Sequence, residues 1–396
     1  MAPVNVPASA SGADMMRAYR MRRDQERTPV LKRYRVLGFL SSGTYGRVYK
    51  AQEVRPLTES HREAGVYAIK KFKPDREGNS ALFTGISQSA IREIVINREL
   101  RHDNVVKMRE VMLEDNAIFL VYEYIEHDFL QMIHHHLTIS RTPISYTVIR
   151  SLLWQVLKGV QYLHESWIMH RDLKPANILV TRHGVVKIAD LGLARVYREP
   201  LVPLYTSDLV VVTIWYRAPE LLLGARHYTP AIDLWAVGDT SWLQGEEFSS
   251  ANVCLGFTAD DSNQLSKIVD ILGTPTEERW PSIGALPEYA AWLATRRESS
   301  TPKTLYQWYT SRTGTTAGYD LLDKLLQLDP TRRLTAQQAL QHPWFKEEPL
   351  PTRKYVKSTN ISAFAGLPNG TSPYPPGKVT ASGSQPVQPT RRGRVH

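Results

Sequence analysis

A chain of 396 residues with 42% hydrophobic and 22% charged side chains has the material for a large folded core and is not a disordered polymer. It has no run of about 18 uncharged apolar residues, so no membrane span is expected, and its first residues lack the apolar core of a secretory signal. Its 49 Lys and Arg exceed its 39 Asp and Glu by a formal +10, a balance that invites a nucleic-acid-binding function.

The charge sits in the wrong place for that function. Residues 1–33 hold seven Lys/Arg against three Asp/Glu, residues 346–396 hold eight against two, and residues 34–345 hold 34 of each sign. The body is therefore neutral, and no direct sequence-specific contact with nucleic acid is expected of it. The single cysteine, Cys254, cannot form an internal disulfide, which suits a reducing compartment.

Taken in chain order, residues 1–33 form a basic extension, partly disordered. Met15, Met16, Tyr19 and Arg23 fall at helical spacing within it, which makes a docking helix one reading and a solvated extension the other. From Tyr34 the texture changes. Residues 33–40, 47–54 and 66–73 read as strands, 87–100 as a helix with Ile91, Ile94 and Val95 at helical spacing, and 105–113 and 117–125 as two more strands. Residues 145–166 carry apolar side chains at i, i+3, i+4 and i+7, and the pattern stays mostly helical beyond them. His134–His136 lacks acidic or cysteine company and reads as a solvated helix end rather than a metal site. Residues 346–396, with eight prolines and few large apolar residues, read as a basic disordered tail.

Several motifs carry chemistry. SSGTYGRV, Ser41 to Val48, lies between two expected strands. Its small residues let the backbone close over a polyphosphate and offer N–H donors to it, with Ser41 where a glycine-rich loop would carry its first glycine. Lys70 ends the VYAIK strand, and Glu93 lies on the SAIRE helix, so a strand cation and a helix anion can pair. HRDLKPAN follows at His170–Asn177, DLG at Asp190–Gly192 and APE at Ala218–Glu220.

Together, in this order and spacing, these motifs resemble the protein kinases over residues 34–345. The resemblance implies an α+β bilobal protein kinase fold. A small β-rich N-lobe would span 34–124 and a larger, mainly helical C-lobe 125–345. It implies ATP and Mg²⁺ as cofactors. Lys70, held by Glu93, would grip the nucleotide phosphates, and Asn177 and Asp190 would hold the metal through oxygen atoms. Asp172 would orient the substrate hydroxyl and take its proton, Lys174 would neutralise the transferred phosphate, and Thr213 would bond near both. Leu40, Ser41, Ser42, Gly43, Thr44, Tyr45, Gly46, Arg47 and Val48 would cover the nucleotide. Ala68, Tyr122, Glu123, Ile125, Asp128 and Leu179 would line the adenine and ribose, with Tyr122 behind the base as gatekeeper. Asp233 would hold the HRD backbone, and Arg333 would bridge to Glu220.

Within the kinases, SQSAIREI, TIWYRAPELLLGARHYTPAIDLWAVG and ILGTPTEERWP resemble the cyclin-dependent kinases, most closely those of the Mediator complex in their fungal form. That resemblance implies a proline-directed Ser/Thr kinase in the nucleus. Its partners would be a cyclin C-type cyclin and the Mediator kinase-module subunits. Its substrates would be the RNA polymerase II C-terminal domain and transcription factors. Asp208 stands where most relatives carry an activating phosphothreonine, facing the expected arginine trio Arg92, Arg171 and Arg195. One departure stands out. After DLWAVG the family continues as an apolar helix, whereas residues 239–263 are polar and contain Gly245 and Gly256. A kinase-fold interaction module with impaired activity is therefore the competing reading.

Overall fold

The computed structural model describes residues 15–17, 21, 28–43, 46–54, 64–72, 88–114, 117–141, 144–197, 214–239, 261–295 and 300–352. Residues 15–17 and Met21 are helical; residues 14, 18–20 and 22–27 of the expected N-terminal docking helix lie outside the described residues. The chain divides into two compact units. One takes in the residues up to Ile94 together with Met108–Tyr124, and the other takes in Val95–Lys107 and the chain from Ile125 onward.

The first unit is built on an antiparallel sheet of five strands: β1 (Tyr34–Ser42), β2 (Gly46–Glu53), β3 (Val66–Phe72), β4 (Met108–Glu114) and β5 (Ala117–Glu123), in the order β1-β2-β3-β5-β4. Alternation along the strands assigns its two faces. Ala51, Ile69, Met112 and Val121 bury one face against Val30 and Tyr34. Val30 lies on α1 (Val30–Arg33), a single helical turn. The backbone N–H of Val30 donates to Glu114 at 2.8 Å, Arg33 pairs with Glu110 at 3.0 Å, and the Tyr34 hydroxyl donates to Glu110. Burial, aided by that carboxylate, pushes the Tyr34 phenol far above its ordinary value. The basic extension drawn to residue 33 is thus part of the fold from Val30 onward. The other face of the sheet carries Lys70 and Tyr122 and meets α2 (Gln88–Glu99).

The second unit is centred on helices. After the short α3 (Phe129–His134) comes α4 (Tyr146–Glu165), which buries Val148, Ile149, Leu152, Val156, Leu157, Val160 and Leu163 on one face, as its spacing requires. These join one core with residues of α5 (Pro219–Leu222), α6 (Ala231–Asp239) and α7 (Asp261–Leu272). Farther along, α8 (Tyr289–Thr295), α9 (Leu305–Thr313), α10 (Tyr319–Leu325) and α11 (Ala336–Leu340) complete the helices; Thr335 and Gln338 form a capping box at α11. Glu220 of α5 meets Arg333 through two bonds of 2.9 Å, and both side chains are buried. Three small strands, β6 (His127–Asp128), β8 (Ile178–Val180) and β9 (Val186–Ile188), form a second sheet, while β7 (Ile168–Met169) pairs with β10 (Arg195–Val196).

Two expectations need correction. His135 and His136 are not solvated. They open a π-helix over His135–Ser140, both are buried, and their rings meet edge to face at 5.6 Å. The tail boundary at 346 also falls too early. Arg150 donates to the Glu347 carbonyl at 2.6 Å, the Thr352 N–H donates to Ser151 Oγ at 3.2 Å, and Gln155 Nε2 reaches the Thr352 carbonyl at 3.5 Å. Residues 347–352 therefore run against α4; the tail from 353 lies outside the described residues.

Helix α6 is buried from Ile232 to Asp239, the last described residue before the segment in which the family-like pattern stops. A Cβ on Gly238 would meet Leu326 at 2.9 Å, so α6 packs tightly to its last turn. Residues 240–260 of the departing segment lie outside the described residues. Replacing 240–260 with an apolar helix-forming run that continues α6 should raise the melting temperature by about 2–4 °C per kcal/mol recovered, read by calorimetry. An unchanged or lower melting temperature would show that the polar segment costs nothing.

Candidate active site

In the first unit, β1 and β2 form a hairpin in which Ser41 faces Val48 and Ser42 faces Arg47; the Gly43 N–H donates to the Gly46 carbonyl at 2.9 Å. Gly46 has no room for a side chain, since a Cβ there would come within 2.3 Å of the Lys71 carbonyl oxygen. Leu40, Ser41, Ser42, Gly43, Gly46, Arg47 and Val48 therefore lie together at the hairpin, and Thr44 and Tyr45 at its tip lie outside the described residues. Val48 pairs with Lys70 and Ala68 with Tyr122, so these four side chains share one sheet face. From α2, Glu93 reaches the same face. Its Oε2 meets Lys70 Nζ at 2.8 Å and its Oε1 accepts from the Tyr122 hydroxyl at 2.6 Å. Both Lys70 and Glu93 are buried.

In the second unit, the catalytic-loop motif forms a compact polar cluster. Lys174 Nζ lies 2.7 Å from Asp172 Oδ2, and Asn177 Nδ2 donates to the Asp172 carbonyl at 2.7 Å and to its Oδ2 at 3.1 Å. The Ala189 N–H donates to the Asn177 carbonyl at 2.9 Å, which brings the next residue, Asp190, beside Asn177. Asp190 has φ 61° and accepts from the Gly192 N–H, a left-handed conformation that a short polar side chain tolerates by bonding its own turn. The Asp172 N–H donates to His170 Nδ1 at 3.2 Å, so the His170 proton sits on Nε2, which faces the Ala189 carbonyl at 3.0 Å. Asn177 spends its amide nitrogen on Asp172, which leaves its side-chain carbonyl oxygen as one candidate ligand atom and the Asp190 carboxylate as another. Two hard oxygen donors of this kind fit a divalent cation of the magnesium class.

The loop itself hangs from α6. Asp233, with 1% exposure, accepts the His170 N–H on Oδ2 and the Arg171 N–H on Oδ1, both at 2.9 Å, and His164 Nε2 approaches Oδ2 at 2.8 Å. Burial alone would raise this carboxyl. The His164 hydrogen bond, the nearby His164 and His170 and the Arg171 N–H outweigh it, and the group is held below its usual value.

Residues 34–345 match the family model described as "Protein kinase domain". The chain belongs to the protein kinase family. It is 44% identical over 395 residues to the serine/threonine-protein kinase SSN3 of Yarrowia lipolytica, a match covering 96% of this chain and 92% of that one. It is 42% identical to the SSN3 kinase of Mycosarcoma maydis, covering 98% of this chain and 68% of that protein, and 50% identical over 344 residues to that of Aspergillus oryzae, covering 80% and 81%. It is a serine/threonine kinase, and the kinase domain implies ATP and a divalent metal.

The kinase's remaining expected site residues are placed as follows. Glu123 ends β5, and Ile125 follows, buried. Asp128 pairs with Leu179 across β6 and β8 and caps α3 by accepting the Gln131 N–H at 2.8 Å. Thr213 and Asp208 lie outside the described residues. Of the arginine trio, Arg92 is on α2, Arg195 on β10, and Arg171 is buried with φ 66°. Arg171 donates from Nε to the Leu193 carbonyl at 2.8 Å and from Nη1 to the Tyr228 hydroxyl at 2.6 Å. Three partnerships were not read from sequence: Tyr122 with Glu93, His164 with Asp233, and Tyr228 with Arg171. Each joins residues at least 29 positions apart.

Asp128 offers a check on this electrostatic picture. Burial raises its carboxyl to about 6, against the lowering effect of the Gln131 and Leu130 N–H groups. The folded state thus holds the proton more tightly than the unfolded chain. The cost to stability therefore builds as pH rises from the ordinary carboxylate range to about 6, is complete above that, and is absent below the ordinary range. Asn caps helices as well as Asp. Asp128→Asn should therefore raise stability at pH 7.5 by about 1–3 kcal/mol, a gain that shrinks as pH falls through 6 toward 4, measured by denaturant unfolding. A gain that is constant with pH would contradict the assignment.

Proposed function

We propose that this kinase is a Mg²⁺- and ATP-dependent, proline-directed enzyme. It acts with a cyclin C-type partner and the Mediator kinase-module subunits in the nucleus. Its substrates are the RNA polymerase II C-terminal domain and transcription factors. The observation that carries the catalytic part is the cluster of Asp172, Lys174 and Asn177 beside Asp190. In this reading Asp172 accepts a hydrogen bond from the substrate hydroxyl, orients it and takes its proton. Lys174, already at Asp172, offsets charge on the transferred phosphate. Asn177 and Asp190 hold the metal, and Lys70 grips the nucleotide phosphates. The bound metal-nucleotide supplies the phosphoryl group and neutralises its charge.

The partner half of the reading rests on α2. Ile91 of its SAIRE segment and Val95 one turn on are 47% and 60% exposed, apolar side chains that suit a protein partner. The activation half rests on Arg171, whose Nη2 is buried without a hydrogen-bond partner among the described residues. In this reading Asp208, which lies outside the described residues, would offer one carboxylate to the arginines, less charge than a phosphothreonine, and cyclin or another Mediator subunit would supply the rest. A second reading, a kinase-fold module that binds cyclin and Mediator with weak catalysis, is favoured by the polar run of residues 239–263 where the family continues apolar.

The two readings separate in one assay: Mg²⁺- and ATP-dependent phosphorylation of a Ser-Pro peptide with a cyclin C-type partner. The enzyme reading expects turnover that falls by at least about 10³-fold in Asp172→Asn, a loss the size of general-base and positioning effects combined. Equal signal from both chains would rule it out, and complex formation without turnover by the unaltered chain would select the interaction module.

A further inference from the structure

The Tyr122 hydroxyl does something that its place behind the adenine does not require. Glu93 is a carboxylate with 1% exposure, and such a group needs a donor for each oxygen. One oxygen takes Lys70 at 2.8 Å and the other takes the Tyr122 hydroxyl at 2.6 Å, a length typical of a hydroxyl bonding an ionised acceptor. The donors come from neighbouring strands of one sheet, Lys70 from β3 and Tyr122 from β5, with Tyr122 facing Ala68 across the ladder. A single donor fixes the distance of a carboxylate; two donors on separate strands also fix its rotation, and with it the helix that carries it. Because the second donor is neutral, the Lys70 ammonium remains the only charge given to Glu93 by this pair.

We propose that Tyr122 is a positioning residue for phosphoryl transfer: its hydroxyl clamps Glu93, thereby holding α2 to the sheet and Lys70 at a fixed point. The catalytic consequence rests on the reading of Lys70 as the phosphate-gripping lysine; the clamp itself does not.

The test uses the full chain in four forms: unaltered, Tyr122→Phe, Glu93→Ala and the double variant. Phenylalanine keeps the ring and removes only the hydroxyl. Amide hydrogen exchange across residues 88–99 reads the clamp without nucleotide. Tyr122→Phe should speed exchange there about tenfold, the scale of one hydrogen bond to a charged group, with a melting temperature near that of the unaltered chain. In the Glu93→Ala background the same substitution should change exchange less than about twofold, because its acceptor is gone. With the cyclin C-type partner, Tyr122→Phe should lower kcat/KM for ATP about tenfold and leave the KM for a Ser-Pro peptide unchanged. Unaltered exchange in Tyr122→Phe, or an effect equally large without Glu93, overturns the clamp. If exchange responds as expected while Lys70→Met turns over normally, the clamp stands and the phosphate role of Lys70 falls.

Discussion

One buried carboxylate organises the catalytic loop. Asp233 receives two consecutive backbone N–H groups, from His170 and Arg171, and a histidine ring from α4. Two donors from adjacent residues, one on each oxygen, fix the direction of the loop where it enters Asp172. Arg171 takes a positive φ at this point, a conformation that costs about 1–3 kcal/mol and persists only where the surroundings impose it. The strain, the buried acid and the polar cluster that follows are thus one arrangement. Asp172, Lys174 and Asn177 lie where they do because α6 holds the backbone just ahead of them.

That dependence gives the departure after Gly238 its weight. The described part of α6 is buried from Ile232 to Asp239, and the sequence turns polar from that point on. Each large apolar side chain removed from a core costs about 2–5 kcal/mol, and a domain has only about 5–15 kcal/mol in total. Polar residues where the family carries apolar ones leave every catalytic residue in the sequence while removing apolar side chains that would support the loop from below. The chemistry and the stability of this kinase are therefore separate questions.

The five strands along the chain and the two long helices were legible in the sequence because their signals are local: strand-like runs between turn-forming residues, and apolar side chains at helical spacing in 145–166. The HRD, DLG and APE segments were legible for another reason. Their residue types are dictated by phosphate, metal and hydroxyl chemistry, so identity and spacing carry the meaning. Long-range polar partnerships were harder. Tyr122 looked like the back wall of the adenine site, and nothing in AIFLVYEYI shows that its hydroxyl points at a helix residue 29 positions earlier. Residues 347–352 looked like the start of a tail because Glu and Pro dominate them. The overlooked signal was on α4, where Arg150, Ser151 and Gln155 interrupt an otherwise apolar buried face. Buried polar residues need partners, and the returning chain supplies them. His135 and His136 were misjudged because composition suggests polarity, while the π-turn draws both rings inward.

The claim that Asp233 holds the catalytic loop is tested most directly by the exchange of two amides. In Asp233→Asn the side chain keeps its size but loses its charge and one of its two acceptor oxygens. The account predicts that the His170 and Arg171 amides lose at least about tenfold in protection while the amides within α6 keep theirs. Unchanged protection at His170 and Arg171 would contradict it.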